Sequence, residues 1–89
     1  CKDIRKEILN RSLSNDLSFR DSFLEGVFTV PGDGYINYKP LFETLYDNKY
    51  SKWLIVEAEQ DPKKANPLKY AKIGYKYLNK ILTEVGYKI

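Results

Sequence analysis

The chain has 89 residues and a mass of 10.4 kDa, with 43% hydrophobic residues, 30% charged residues and a net charge of +3. This length allows at most one domain, and the composition is typical of a globular chain rather than a disordered one. No apolar run approaches the ~20 residues that cross a bilayer. With no histidine and one cysteine, the chain excludes a Ser-His-Asp or Cys-His catalytic system, a zinc cluster and an internal disulfide.

Charge and composition also limit the partners. Twelve of the 15 basic residues are lysine, spread along the sequence, whereas nucleic-acid binding favours clustered arginine with a reading or stacking surface. We therefore expect no nucleic-acid and no membrane partner, and a cytoplasmic location. Because the sequence lacks methionine and opens at Cys1 inside patterned sequence, we expect residues 1–89 to be a single segment of a longer protein.

The first third of the chain is predicted to form two helices and a strand. Apolar residues recur at helical spacing over residues 4–14. Ser18 is a favourable N-cap for a second helix, because its hydroxyl can accept from a backbone N–H of the first turn, and Gly26 is typical of a helix end. That helix is expected to bury Phe19, Phe23 and Leu24. Residues 27–30 are β-branched or aromatic and are predicted to be extended.

A tight turn and a third helix follow. The sequence Pro-Gly-Asp-Gly at residues 31–34 is the densest turn signal in the chain, and it allows the backbone to approach a ligand closely. Residues 35–38 are predicted to be extended. Pro40 is then expected at the first position of a helix that ends near residues 47–49.

Residues 53–57, with the sequence Trp-Leu-Ile-Val-Glu, give the strongest strand prediction. A period of two places Trp53, Ile55, Glu57 and Glu59 on one side, with Leu54, Val56 and Ala58 on the other. A long helix is predicted from Asn66 and Pro67 to Gly86, with a buried stripe that includes Leu68, Tyr75 and Leu78. One buried strand cannot form a sheet alone, so the pattern favours an α/β class and the final units of a larger protein.

Glu57 is the strongest candidate for a functional residue. An acid at the end of an apolar strand has no packing role, and buried carboxylates are costly unless they are paired or bound to a metal. In a β/α barrel the carboxyl ends of the strands carry the ligand and catalytic groups. The alternative is that the strand stops at Val56 and that Glu57 begins a solvated loop. Glu59 belongs to the same acidic stretch and has the same two interpretations.

Two further features have structural alternatives to a functional role. The turn at residues 31–34 can present backbone N–H groups to an oxygen-rich ligand, but it lacks the lysine of a nucleotide-phosphate loop and is also explained as a plain turn. Arg5 can bind a substrate or serve as an ordinary charge near the start of a helix. The residues alone leave both questions open.

Three stretches carry a family resemblance: Gly-Val-Phe-Thr-Val-Pro-Gly-Asp-Gly at 26–34, Trp-Leu-Ile-Val-Glu-Ala-Glu-Gln-Asp-Pro at 53–62, and Ala-Asn-Pro-Leu-Lys-Tyr-Ala at 65–71. Together they resemble the C-terminal third of the inosose dehydratases, which have the xylose-isomerase-like (β/α)8 barrel. The opening Lys-Asp-Ile-Arg at 2–5 is similar to that family's His-x-Lys-Asp-x-Arg segment. The resemblance implies that the chain corresponds to about strands 7 and 8 of a TIM barrel, with their helices.

The resemblance also implies a site and a reaction. The family binds manganese or cobalt through two glutamates, an aspartate and a histidine, and Glu57 matches the last of these ligands. Glu57 is also the expected catalytic residue for proton transfer, and Arg5 and Glu59 are expected to bind substrate. The implied reaction removes water from 2-keto-myo-inositol in myo-inositol catabolism. With one of four ligands present, the chain alone is expected to be inactive and to self-associate through uncovered apolar faces.

Two other functions remain open at this stage. One is a sugar isomerase or epimerase of the same barrel superfamily, because the Pro-Gly-x-Gly turn is shared with those enzymes. The other belongs to a different class: a small, basic, non-catalytic binding module that uses its lysine-rich face. A binding module gives no role to Glu57 at the end of an apolar strand, whereas the lyase interpretation requires it there.

Overall fold

The computed structural model of the protein describes residues 1–88 and contains helices joined to a small sheet. The elements follow in the order β1 (Asp3–Ile4), α1 (Lys6–Ser14), α2 (Phe19–Leu24), β2 (Phe28–Thr29), α3 (Lys39–Asp47) and α4 (Pro67–Val85). Within residues 1–88, every helix is too short or too polar to cross a membrane.

Local sequence signals set the helix ends. The Ser18 hydroxyl accepts from the backbone N–H of Asp21 at 3.1 Å, and the Asn66 side chain accepts from Lys69 N–H at 3.0 Å, so both predicted caps are confirmed. Gly26 follows α2 with φ +90°, the left-handed conformation expected there. The first helix begins at Lys6 rather than at residue 4.

The helix α1 starts late because the residues before it belong to a sheet. Strand β1 pairs with β2 in antiparallel register, with Asp3 opposite Thr29 and Ile4 opposite Phe28. The Arg5 N–H extends this pairing by donating to Val27 O at 2.9 Å. Pairing with a distant strand therefore overrides the helical periodicity at Ile4.

Residues 53–57 form no regular strand within the described chain, so the strongest strand prediction is wrong as an assigned element. The backbone nevertheless makes the hydrogen bonds of a parallel pair at one point. The Cys1 nitrogen donates to Ile55 O, and Glu57 N–H donates to Cys1 O at 2.8 Å. Residue 1 is thus hydrogen-bonded to the residues before and after Val56, as in a bridge between two parallel strands. A single bridge is too short to form a ladder.

The side chains of this segment alternate as predicted. Leu54 and Val56 are partly buried against the core, whereas Trp53 is 86% exposed and Ile55 is 71% exposed. One face of the segment therefore packs inward, and the other presents large apolar side chains to solvent.

The core lies between α3 and α4. Phe42 and Leu78 are buried with Tyr38, and the Phe42 side chain is fully inaccessible. Partly buried apolar residues surround this centre: Cys1, Leu45, Leu54, Val56, Tyr77, Ile81, Leu82 and Val85. The third helix begins at Lys39, one residue before Pro40, and ends as predicted near Asn48.

The buried face of α4 differs from the prediction in its first half. Leu68 and Tyr75 are 65% and 62% exposed, while Gly74 is buried. A Cβ at Gly74 would lie 2.9 Å from Val56 Cγ1 and 3.2 Å from Val30 Cβ. The helix therefore approaches the extended segments through a glycine, and the apolar residues beside it face outward.

The predicted burial of α2 and the predicted extended segment at residues 35–38 are both wrong. Phe19 is 70% exposed and Leu24 is 38% exposed, because α2 packs mainly on α1 and does not reach the core. Residues 35–38 form no strand: Tyr35 lies in a bend, residues 36–37 have no regular structure, and Tyr38 has helical backbone angles before α3. Their first two N–H groups, from Tyr35 and Ile36, donate to Asp3 Oδ1 rather than to a neighbouring strand.

Candidate functional site

Three charged side chains meet beside the parallel bridge, and we call them the Lys2 cluster: Lys2, Glu57 and Glu59. The Lys2 Nζ lies 3.1 Å from Glu57 Oε2 and 2.8 Å from Glu59 Oε2. All three side chains are 35–54% exposed. The cluster therefore sits at the surface of the described chain, where a ligand can reach it.

Backbone pairing brings these residues together. Because residue 1 is opposite Val56, the next residue along each segment, Lys2 and Glu57, falls on the same face of the pair. Glu59 lies two residues further on and returns to that face. The sequence pattern predicted the shared side of Glu57 and Glu59. It did not indicate Lys2, because only the pairing of distant segments shows that proximity.

The carboxylates raise the pKa of Lys2. The hydrogen bonds that Lys2 donates to Glu59 and then to Glu57 are the largest causes, and desolvation by burial opposes them. Lys2 therefore remains an ammonium throughout the neutral range. Its Nζ also lies 4.7 Å from the centroid of the Phe28 ring, which is within the range of a cation–π contact.

Arg5, the second predicted site residue, lies in a separate hydrogen-bond network. Its Nη1 donates to Gly26 O at 2.7 Å and to Phe28 O at 3.3 Å. Its Nη2 donates to three side chains: Asp33 at 3.0 Å, Gln60 at 3.0 Å and Tyr70 at 3.4 Å. Both terminal nitrogens are thus engaged, and Nε makes no hydrogen bond within residues 1–88. The prediction that Arg5 binds substrate remains untested by this geometry.

The turn at residues 31–34 faces this arginine network. Gly32 has φ +94°, and a Cβ there would lie 2.6 Å from Tyr77 Cβ. The Asp33 carboxylate accepts from Arg5 at 3.0 Å and from Thr29 Oγ1 at 2.7 Å. The Asp33 backbone N–H also donates to Val30 O at 3.1 Å. These contacts favour the structural interpretation of the turn, since its carboxylate and one of its backbone donors are already bound by the chain.

Asp3 lies in the motif at residues 2–5, where nothing in the sequence indicated its burial, yet it is fully buried. Its Oδ1 accepts from three backbone N–H groups: Ile4 at 2.7 Å, Tyr35 at 3.0 Å and Ile36 at 2.9 Å. Burial, followed by the nearby Asp3 charge, raises the pKa of Tyr38, whose hydroxyl donates to Lys2 O. Asp3 therefore joins β1 to the segment that leads into α3, directly behind the Lys2 cluster.

The donors of the cluster do not make a complete metal centre. Among residues 1–88, no group of three or more Asp, Glu, Cys or His side chains is placed to hold an ion. Glu57 supplies a hard oxygen donor of the kind that suits manganese, but the Lys2 ammonium occupies its Oε2. The described residues therefore fit at most a part of such a site.

Comparison with known proteins gives a consistent result. The chain is 55% identical over 83 residues to an inosose dehydratase of Mesomycoplasma hyopneumoniae, and 52% identical over 81 residues to one from Salmonella agona. It is also 46% identical over 89 residues to the rhizopine catabolism protein MocC of Rhizobium meliloti. No protein-family model matches the chain.

The matches cover 91–100% of this chain but only 27–28% of the length of each relative. The resemblance that the sequence motifs indicated is therefore confirmed: over nearly its whole length, this chain is similar to a little more than a quarter of an inosose dehydratase.

Proposed function

We propose that the chain is part of a dehydratase that removes water from 2-keto-myo-inositol, and we call the longer protein the intact enzyme. The observation that carries the proposal is the 55% identity to an inosose dehydratase over 83 residues. The Lys2 cluster supports it, because two carboxylates and an ammonium lie together at an accessible position. Proton transfer in an elimination needs groups of this kind.

The proposed fold of the intact enzyme is a (β/α)8 barrel, with this chain supplying about strands 7 and 8. The parallel bridge between residue 1 and residues 55–57 supports adjacent parallel strands. Trp53 and Ile55 are exposed in this chain, which supports their position on an inner face of the barrel that residues of further strands would cover. In such a barrel the Lys2 cluster would lie at the strand ends that carry the active site.

Glu57 is the proposed catalytic residue, and Glu59 and Arg5 are proposed to bind the substrate. The Arg5 side chain is 21% exposed, and its terminal nitrogens donate to Gly26, Asp33 and Gln60. We also propose that Glu57 is one ligand of a manganese or cobalt ion and that the remaining ligands come from residues outside this chain. The residues present do not complete that site, so the reaction is followed below only through the chain's own groups.

Removal of water breaks a C–H bond next to the ketone and a C–O bond on the adjacent carbon. Glu57 is half-exposed and has Oε1 outside the ion pair with Lys2, so it can accept the proton from the C–H bond. The electron pair of that bond forms the new double bond, and the hydroxyl leaves as water after it gains a proton. Hydrogen bonds from Arg5 and to Glu59 would orient the cyclitol hydroxyls.

The proposal is tested with the intact enzyme, 2-keto-myo-inositol and added manganese or cobalt. Dehydration of the substrate is expected, and Glu57→Gln should lower kcat by about 100-fold or more, the usual contribution of a proton-transferring group. Glu84→Gln, near the end of α4, is the control and should leave kcat unchanged, because the Glu84 carboxylate pairs with Lys39 and not with the Lys2 cluster. The 89-residue chain alone should show no turnover. Absence of dehydration by the intact enzyme would refute the proposal.

One relative favours a second candidate within the same chemistry. The rhizopine catabolism protein MocC is 46% identical to the chain over 89 residues. A rhizopine should therefore be assayed beside 2-keto-myo-inositol. Ketose sugars test the isomerase or epimerase alternative, and turnover of a ketose without inosose dehydration would favour it. Absence of turnover with every substrate would favour the binding module.

A further inference from the structure

We propose that Lys2 is a positioning residue that holds the Glu57 and Glu59 carboxylates side by side in the candidate site. The inference rests on the proposed function and adds a residue to which neither the sequence motifs nor the comparisons assign a role. It begins from the geometry of the Lys2 ammonium, which lies within 3.1 Å of one carboxylate and 2.8 Å of the other.

Two like charges on one face of an extended segment repel each other. Glu57 and Glu59 have only Ala58 between them, and both side chains are about half-exposed, so packing does little to fix them. A cation shared between the carboxylates removes this repulsion and adds a charge-assisted hydrogen bond to each. Without Lys2, both side chains would be free to turn into solvent.

Lys2 is itself held from several directions. Its backbone oxygen accepts from the hydroxyl of Tyr38, a residue that is only 6% exposed. The preceding residue is fixed by the bridge to residues 55–57, and Nζ lies over the Phe28 ring at 4.7 Å. The ammonium therefore starts from an anchored position, which a surface lysine on a helix would not have.

The contacts determine which oxygens remain available. Lys2 binds Oε2 of Glu57 and Oε2 of Glu59. This leaves Oε1 of each carboxylate for a substrate hydroxyl, a proton or a cation. Lys2 thus presents two oxygens in a fixed relation to each other, and reactions are sensitive to such placement, because a misplacement of about 1 Å can lower a rate about 100-fold.

Lys6 provides a matched control. Its Nζ also lies over an aromatic ring, that of Tyr35, at 4.9 Å. Within residues 1–88, however, Lys6 forms no ion pair with a carboxylate. Lys6→Met therefore removes a charge and a cation–π contact of the same kind without altering the carboxylate pair.

The experiment measures kcat and KM of the intact enzyme for wild type, Lys2→Met, Lys2→Arg and Lys6→Met. Lys2→Met should lower kcat about 100-fold with an unchanged melting temperature, Lys2→Arg should restore most of that loss, and Lys6→Met should match wild type. A merely structural lysine would not show rescue by arginine at constant melting temperature. A second readout is the crystal structure of the Lys2→Met protein, in which the Glu57 and Glu59 side chains should separate.

The outcomes distinguish this inference from the proposed function. A wild-type enzyme without dehydration refutes the function, and the role of Lys2 falls with it. An active wild type with Lys2→Met equal to Lys6→Met refutes the role of Lys2 alone. If Lys2→Met does not fold, Lys2→Gln takes its place, because it keeps a long side chain with a polar end but removes the charge that pairs with both carboxylates. An unchanged kcat in that variant would overturn the inference.

Discussion

Gly34 lies against the buried carboxylate of Asp3, and replacing it by alanine should strongly destabilise the fold. A Cβ at this position would lie 2.4 Å from both Cγ and Oδ1 of Asp3. Asp3 is fully buried and cannot move into solvent. Overpacking of a core costs about 1–3 kcal/mol. Displacement of Oδ1 from even one of its three N–H donors adds about 1.5–3 kcal/mol, because the acceptor is charged.

We therefore expect Gly34→Ala to lower the free energy of unfolding by about 3 kcal/mol or more. This is a large part of the total, since about 0.05–0.15 kcal/mol per residue is typical of small domains. The assay is urea unfolding of the 89-residue chain, followed by circular dichroism, with the exposed Ser51→Ala as a control expected to stay within about 0.5 kcal/mol of wild type.

A double-mutant cycle tests the cause of this loss. Asp3→Ala removes Cγ and Oδ1, the two closest atoms, and leaves Asp3 Cβ at 2.8 Å. Gly34→Ala should therefore be less costly in the Asp3→Ala background than in wild type, so that the two changes are not additive. A Gly34→Ala variant as stable as the Ser51→Ala control would refute the reasoning.

Two further predictions concern self-association and pH. Trp53→Lys combined with Ile55→Lys should reduce self-association of the 89-residue chain in sedimentation experiments, because these side chains are 86% and 71% exposed; an unchanged mass distribution would contradict this. Because the pKa of Tyr38 is raised, its hydroxyl stays protonated to a higher pH in the folded state than in the unfolded state. The contribution of Tyr38 to stability is therefore complete below pH 10.0, and it is lost as pH rises through the pKa of the folded state. Urea midpoints of Tyr38→Phe should therefore fall less steeply than wild type in alkali, whereas parallel curves would exclude this role for Tyr38.

Local chemistry made the helices predictable, because the signals for their ends act over a few residues. The caps at Ser18 and Asn66 and the left-handed Gly26 follow from such signals. The errors lie where distant segments compete. Ile4 lies in β1 and pairs with β2 rather than joining α1, and the N–H groups of Tyr35 and Ile36 donate to Asp3 rather than to a strand. The period-two pattern gave the faces of residues 53–57 correctly, but their pairing depends on residue 1, more than 50 positions away.

The candidate site shows the same division. The position of Glu57 after an apolar segment was readable from the sequence, and so was its shared side with Glu59. The contact of Lys2 with these acids was not, because the motif at residues 2–5 assigns it no partner and only the pairing with residues 55–57 brings it there. The network around Arg5 likewise joins residues up to 65 positions apart. Sequence patterns thus located Glu57 and Glu59, whereas only the folded structure showed that Lys2 lies beside them.

The pairing of residues 1–5 also determines the order in which the chain can fold. Their backbone partners lie at residues 27–29 and 55–57, so both pairings must wait for segments that are synthesised later. Closing a longer loop costs more entropy, although each doubling of length adds only about 0.6 kcal/mol. When the 89-residue chain refolds from the denatured state, we expect α4 to form early, since its backbone hydrogen bonds are local, and the bridge to residue 1 to form late. The Lys2 cluster would then be assembled in the last steps of folding.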